Sequence, residues 1–148
     1  METKIPPPIV TLVFGLSIYL SSGIFRVVEF NHSFYLGIIL LLLGFVILIS
    51  AVRLFRKDKT TVNPLSPEQA TTLVTDGIFK YSRNPMYLGM ALVLGSIAVF
   101  FNIIGGIILV ALFCAYITKF QIFPEERAMR DLFSDDFDKY TKVTRRWI

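Results

Sequence analysis

The chain has 148 residues, 54% of them hydrophobic, a mean hydropathy of +0.63 and a formal net charge of +4. Water-soluble domains keep the apolar share lower and spread it periodically. Here it is gathered into blocks, which excludes an ordinary soluble domain and predicts a single all-α integral membrane domain of about four transmembrane helices. One cysteine, Cys114, and one histidine, His32, cannot build an internal disulfide or a tetrahedral zinc site, and they leave little room for a catalytic triad, so no metal is expected.

In chain order, Pro6-Pro7-Pro8 leads into an apolar stretch that predicts a first span over about 8–28. It is longer than a secretory apolar core, and Ser21-Ser22-Gly23 only weakly imitates a cleavage site, so the reading is a retained helix. Arg26, Glu29, Asn31 and His32 make a short outer turn, and the second span covers about 34–55. A central loop, 56–84, follows. In it Ser66-Pro67-Glu68-Gln69 carries capping signals for a short helix to about Thr75, ended by Asp76-Gly77. Pro85 opens the third span, about 85–101. Asn102 and Gly105-Gly106 interrupt the apolar run before the fourth, about 103–123, and this pair is expected to form a tight helical hairpin. The tail, 124–148, starts at Pro124-Glu125-Glu126, which reads as a new helix start. Met129, Leu132, Phe133, Phe137 and Tyr140 then recur at helical spacing, giving an amphipathic helix on the membrane surface or over the helix ends.

The basic residues are placed unevenly. Arg53, Arg56, Lys57, Lys59, Lys80 and Arg83 lie in or beside the central loop, and Arg127, Arg130, Lys139, Lys142, Arg145 and Arg146 lie in the tail. The remaining connections hold only Arg26. By the positive-inside rule the loop and both termini are cytoplasmic. Topology therefore accounts for the positive charge, and no nucleic-acid partner is expected.

Three polar clusters lie near the cytoplasmic helix ends: Gly77 to Gly89, Glu125-Glu126, and Arg145-Arg146-Trp147. Singly, each has a plain structural role. Arg83, Tyr87, Arg146 and Trp147 are good interfacial anchors, and Glu126 can pair with Arg130 one turn on. A hairpin of the third and fourth spans brings the first two clusters together, and the tail can fold the third over them. Two carboxylates, several guanidiniums and several aromatic rings suit a zwitterionic aromatic ligand, and S-adenosylmethionine carries the matching groups. Phosphate-cradling glycine loops are missing, which disfavours ordinary dinucleotide and ATP sites.

Gly77 to Gly89, with Tyr81, Arg83, Asn84, Pro85 and Tyr87, resembles the G-x-[FY]-x-x-x-R-[HN]-P-x-Y-x-G signature of the isoprenylcysteine carboxyl methyltransferase family, itself related to the phospholipid methyltransferases. Glu125-Glu126, Leu132-Phe133, Tyr140, Val143 and Arg146-Trp147-Ile148 extend the resemblance over the last half of the chain. The resemblance implies an S-adenosylmethionine-dependent membrane methyltransferase with a cofactor pocket at the cytoplasmic face and a lipophilic acceptor arriving from the bilayer. It implies cofactor contacts from Tyr81, Asn84, Pro85, Tyr87, Glu125, Glu126 and Tyr140, with Arg83, Arg146 and Glu125 as the catalytic candidates. Departures are Asn84 for a frequent His, Ile78 for Pro, Ser134 for Gly and Phe137 for Tyr. With so few near-neutral titrating groups, the reading leans to a carboxylate acceptor, which needs no base. An NADPH-dependent membrane reductase of related fold and a non-enzymatic small membrane protein are the alternatives. The oligomeric state is not specified by the sequence.

Overall fold

The computed structural model describes residues 5–24, 32–58 and 67–148, whose regular elements are all helical, with no strand among them. Helix α1, Pro7–Leu20, begins with a proline, whose missing N–H is unneeded in a first turn. It stops earlier than the predicted span. The Ser21 hydroxyl donates to the Ile18 carbonyl, and the Ser21 carbonyl accepts from Ile24 N–H (3.0 Å) and from Asn102 (3.2 Å), which tightens the end into a 3-10 turn, Ser21–Gly23. The rest of that predicted span, and the outer turn at Arg26, Glu29 and Asn31, lie outside the described residues. Helix α2 covers Ser33–Lys57, with Arg56 and Lys57 complementing the negative end of its dipole.

Helix α3, Pro85–Phe101, crosses α2 at very short range. A side chain on Gly89 would lie 2.8 Å from the Gly44 carbonyl oxygen and 2.7 Å from Leu48 Cγ, so only glycine fits the crossing. Ser96 Oγ donates to the Gly37 carbonyl (2.8 Å) on the same seam. One extended residue, Asn102, joins α3 to α4, Ile103–Ile117, which is the tight hairpin expected. Its side-chain oxygen caps α4 by accepting from Gly105 N–H (3.1 Å), and its amide reaches across to Ser21.

Two expectations are corrected in the connections. Residues 59–66 lie outside the described residues; from there to Thr75 the central loop holds one 3-10 turn, Pro67–Gln69, and not a helix to Thr75. Thr71, Thr72, Val74 and Thr75 are β-branched and poor helix formers, and Val74 is instead buried against the tail. Nor does Pro124 start a new helix. The rod runs on from α4 through a π turn, Thr118–Ile122, into α5, Phe123–Val143. Proline cannot donate into the preceding turn, and widening that turn lets the helix continue past it.

Helix α5 breaks at Ser134, where φ is 41° and ψ is −113°. The break folds the last helical segment back, so that Arg130 pairs with Asp138 (3.0 Å) and Phe137 and Tyr140 dock with Ala51, Val74 and Phe79 over the end of α2. The tail thus covers the helix ends.

Two helical stretches, Ser33–Lys57 and Ile103–Val143, hold segments long and apolar enough to cross a membrane, and α1 and α3 are shorter apolar helices. Only 22% of each apolar segment is buried inside the molecule, which leaves most of its apolar surface facing outward. Leu12, Leu16, Leu42, Val46, Ile107 and Leu112 all face outward.

Candidate functional site

The site forms where the basic ends of α2, α3 and the α4–α5 rod meet the C-terminal tail. Gly77 opens it. Its φ of 58° is unfavourable for other residues, and a Cβ there would meet Leu54 Cδ1 at 2.9 Å. The 3-10 turn Gly77–Lys80 follows, with Phe79 buried. Asn84 then precedes the first turn of α3, which Pro85 starts.

Two acidic residues on neighbouring positions of one helix face different partners. Glu125 looks inward. Its Oε1 accepts from the Tyr87 hydroxyl (2.5 Å) and from Gln121 Nε2 (2.8 Å). Tyr87 and Gln121 are each 3% exposed, so this is a polar island in an apolar core. Burial pushes the Glu125 carboxyl up to about 7, against the pull of the two hydrogen bonds and with help from the Glu126 charge.

Glu126 faces the tail. Arg146 holds it with two prongs, Nε to Oε1 (2.9 Å) and Nη2 to Oε2 (2.8 Å), and Arg83 Nη2 reaches Oε1 at 2.7 Å. Burial acts to raise this carboxyl, but the hydrogen bonds and charges of Arg146 and Arg83 outweigh it and hold it below the usual carboxylate range. Glu126 does not pair with Arg130, which is engaged by Asp138.

The tail is strapped down mostly through backbone. Arg83 Nη1 donates to the Thr144 carbonyl (2.7 Å) and the Thr141 carbonyl (3.3 Å), and Arg83 N–H donates to the Arg145 carbonyl (3.0 Å). Asn84 Nδ2 donates to the Arg146 carbonyl (3.0 Å). Asn84 thus serves here as a tail clasp. Trp147 Nε1 donates to Thr118 Oγ1 (3.2 Å), and the Arg146 guanidinium lies 4.8 Å from the Phe123 ring centroid. One strong donor is left over: Arg83 Nε is buried without a partner among the described residues.

Arg83, Asn84, Tyr87, Glu125, Glu126 and Arg146 therefore converge, as the three sequence clusters predicted, and Pro85 is buried at the foot of the same group. Tyr140 stands apart: it is buried in the cluster over α2 and donates to the Phe79 carbonyl (2.6 Å), and burial raises its hydroxyl. Tyr81 is 74% exposed and takes no part in the network. Sequence reasoning passed over Gln121. The signal was there, a lone amide in an apolar run four residues before Glu125. Four residues apart in the continuous rod, it lies on the same face as Glu125.

The electrostatic balance has a consequence. Two guanidiniums share one ionised carboxylate, and the second carboxyl is only partly ionised near neutrality. The centre thus has a surplus positive charge and a spare donor, and it suits an anionic group.

The family model for phospholipid methyltransferases matches residues 32–136, and this chain belongs to that family. No curated protein and no solved structure matches it.

Proposed function

We propose that this family member is an S-adenosylmethionine-dependent methyltransferase acting on a lipophilic acceptor in the membrane. In this reading α1, α2, α3 and the α4 part of the rod cross the bilayer, and the central loop, the tail and both termini are cytoplasmic. At about 1.5 Å per residue the 17 residues of α3 span roughly 25 Å, close to the hydrocarbon thickness. The positive charge on the loop and tail supports this orientation.

The observation that carries the reading is the convergence of Arg83, Glu126 and Arg146, from three separate parts of the chain, around a surplus positive charge and an unpartnered Arg83 Nε. These residues fit the cofactor. Arg83 and Arg146 would bind its carboxylate, Glu126 or Glu125 its ammonium, and Tyr87 and Phe123 are rings within the same group. When bound, the cofactor supplies a methyl group activated on a sulfonium centre. The chain's own contribution is to hold the partners in line and to exclude water with the tail strap.

Glu125 alters the expectation about the acceptor. The sequence leaned to a carboxylate, or to catalysis by positioning alone, because few near-neutral groups were in view. A carboxyl raised to about 7 can take a proton at neutral pH, so an acceptor with a proton to lose, such as a lipid amine, suits this site better. In that role Tyr87 and Gln121 are positioning residues that hold Glu125 Oε1.

The test is titration of the protein in mild detergent with S-adenosylmethionine, S-adenosylhomocysteine and NADPH, beside Glu125→Gln and Arg83→Ala. Saturable adenosyl binding, weakened in both folded variants, is expected. NADPH binding alone would move the assignment to a reductase, and binding of none of the three to a non-enzymatic role.

A further inference from the structure

On the outer flank of the α4–α5 rod, away from the acidic pair, lies an open groove of about 600 Å³ lined by Cys114, Ala115, Thr118, Lys119, Phe123 and Arg127. The π turn divides the two faces. Gln121 and Ile122 turn inward and are buried, whereas Lys119, Phe123 and Arg127 are exposed. The groove has a gradient along its length. Toward α4 it is small and apolar, with Cys114 and Ala115. Toward α5 it carries the cationic Lys119 and Arg127 and the Phe123 ring.

That gradient matches one kind of molecule. An acyl chain fits the apolar end, and a phosphate fits between Lys119 and Arg127, since cations near the membrane boundary attract anionic headgroups. Read with the proposed spans, the groove straddles the boundary where such a headgroup sits. We propose that it is a binding site for an anionic phospholipid that is separate from the acceptor site. The inference rests on the proposed membrane topology and not on methyl transfer.

The groove shares its wall with the tail strap. Phe123, which lines it, has the Arg146 guanidinium over its ring (4.8 Å), and Thr118, which also lines it, accepts the Trp147 indole N–H (3.2 Å). A lipid seated here packs beside the strap and steadies it. Trp147 is also the only tryptophan of the chain, so the fluorescence comes from one side chain, tied to this wall through Thr118.

The experiment reconstitutes the full chain in phosphatidylcholine vesicles carrying a minor share of brominated phosphatidylglycerol or brominated phosphatidylcholine. Trp147 quenching is read in wild type, in Lys119→Gln/Arg127→Gln and in the charge-keeping Lys119→Arg/Arg127→Lys. The anionic lipid is expected to quench at a mole fraction lower by on the order of tenfold in wild type and in the charge-keeping variant. That preference is lost in the neutral variant, whose detergent-phase adenosyl binding stays at the wild-type level. Equal quenching by the two lipids, or an anionic preference that survives in the neutral variant, overturns the proposal. So does a preference erased by inorganic phosphate but not by chloride of equal ionic strength, which would make this a site for the free anion. Because adenosyl binding is read separately, failure here is distinguishable from failure of the methyltransferase reading.

Discussion

The two ends of the α3–α4 hairpin both bury polar side chains, and they do so on opposite terms. At the Asn102 end the buried polar side chains among the described residues are neutral and matched: Asn102 caps Gly105, its amide reaches Ser21, and Ser96 bonds Gly37 deeper in the seam. At the other end the groups are charged and unevenly matched, with two guanidiniums on one carboxylate, a buried Arg83 Nε without a partner and a carboxyl raised to about 7. Neutral satisfied bonds are a cheap way to fix a turn. Charged, incompletely paired groups are a costly one, and their retention points to a ligand that completes them.

The largest loss on breaking this contrast comes from removing its central carboxylate. Glu126→Ala leaves the largely buried Arg83 guanidinium facing the partly exposed Arg146, and a loss of about 2 kcal/mol is expected, less than for a fully buried pair because solvent screens Arg146. It is measured by thermal unfolding in detergent, and limited proteolysis should show the tail released before the helices.

Glu125→Gln sharpens the contrast through pH. The folded carboxyl titrates near 7, above the ordinary value of 4.5, so the folded state binds the extra proton between them. Stability from this group is therefore full below about 4.5 and falls as pH rises to about 7, by up to about 3 kcal/mol. The variant should gain on wild type at about pH 8 and lose most of that gain at about pH 5. A pH-independent difference would contradict the assigned environment.

Asn102→Ala tests the quiet end. It removes a helix cap and a tie to Ser21, for an expected loss of about 1–2 kcal/mol in the same unfolding assay, with ligand binding unchanged. The smallest effect is expected at the hinge. Ser134 holds a φ of 41°, in the left-handed range that favours glycine, so Ser134→Gly should stabilise by about 1 kcal/mol.

Ser134 also shows what was legible and what was not. Its departure from glycine was visible in the sequence, but the sharp break it sits in was not, because the apolar positions of the tail keep helical spacing on both sides of it. The hairpin at Asn102 was legible because a polar residue and two glycines interrupt an apolar run. The convergence of Arg83, Glu126 and Arg146 was legible as three clusters carried to one end by that hairpin. The continuous rod past Pro124 was not, since a proline followed by two acids is also the signature of a helix start. Gln121 was hidden for the same reason: a helix start at Pro124 separates it from Glu125, whereas in the continuous rod the two lie one turn apart on one face. Tyr140 carried a site motif yet packs in the cluster over α2, where spacing alone gives no sign of which neighbour it meets.

The most direct measurement compares the two ends of the hairpin in one assay. S-adenosylhomocysteine is titrated by calorimetry into wild type, Arg83→Lys and Asn102→Ala, with folding checked in each. The account predicts binding to wild type and Asn102→Ala with similar affinity, and binding weakened by about tenfold or more in Arg83→Lys, which keeps the charge and loses the fork. Equal affinity in all three, or no binding by folded wild type, would contradict it.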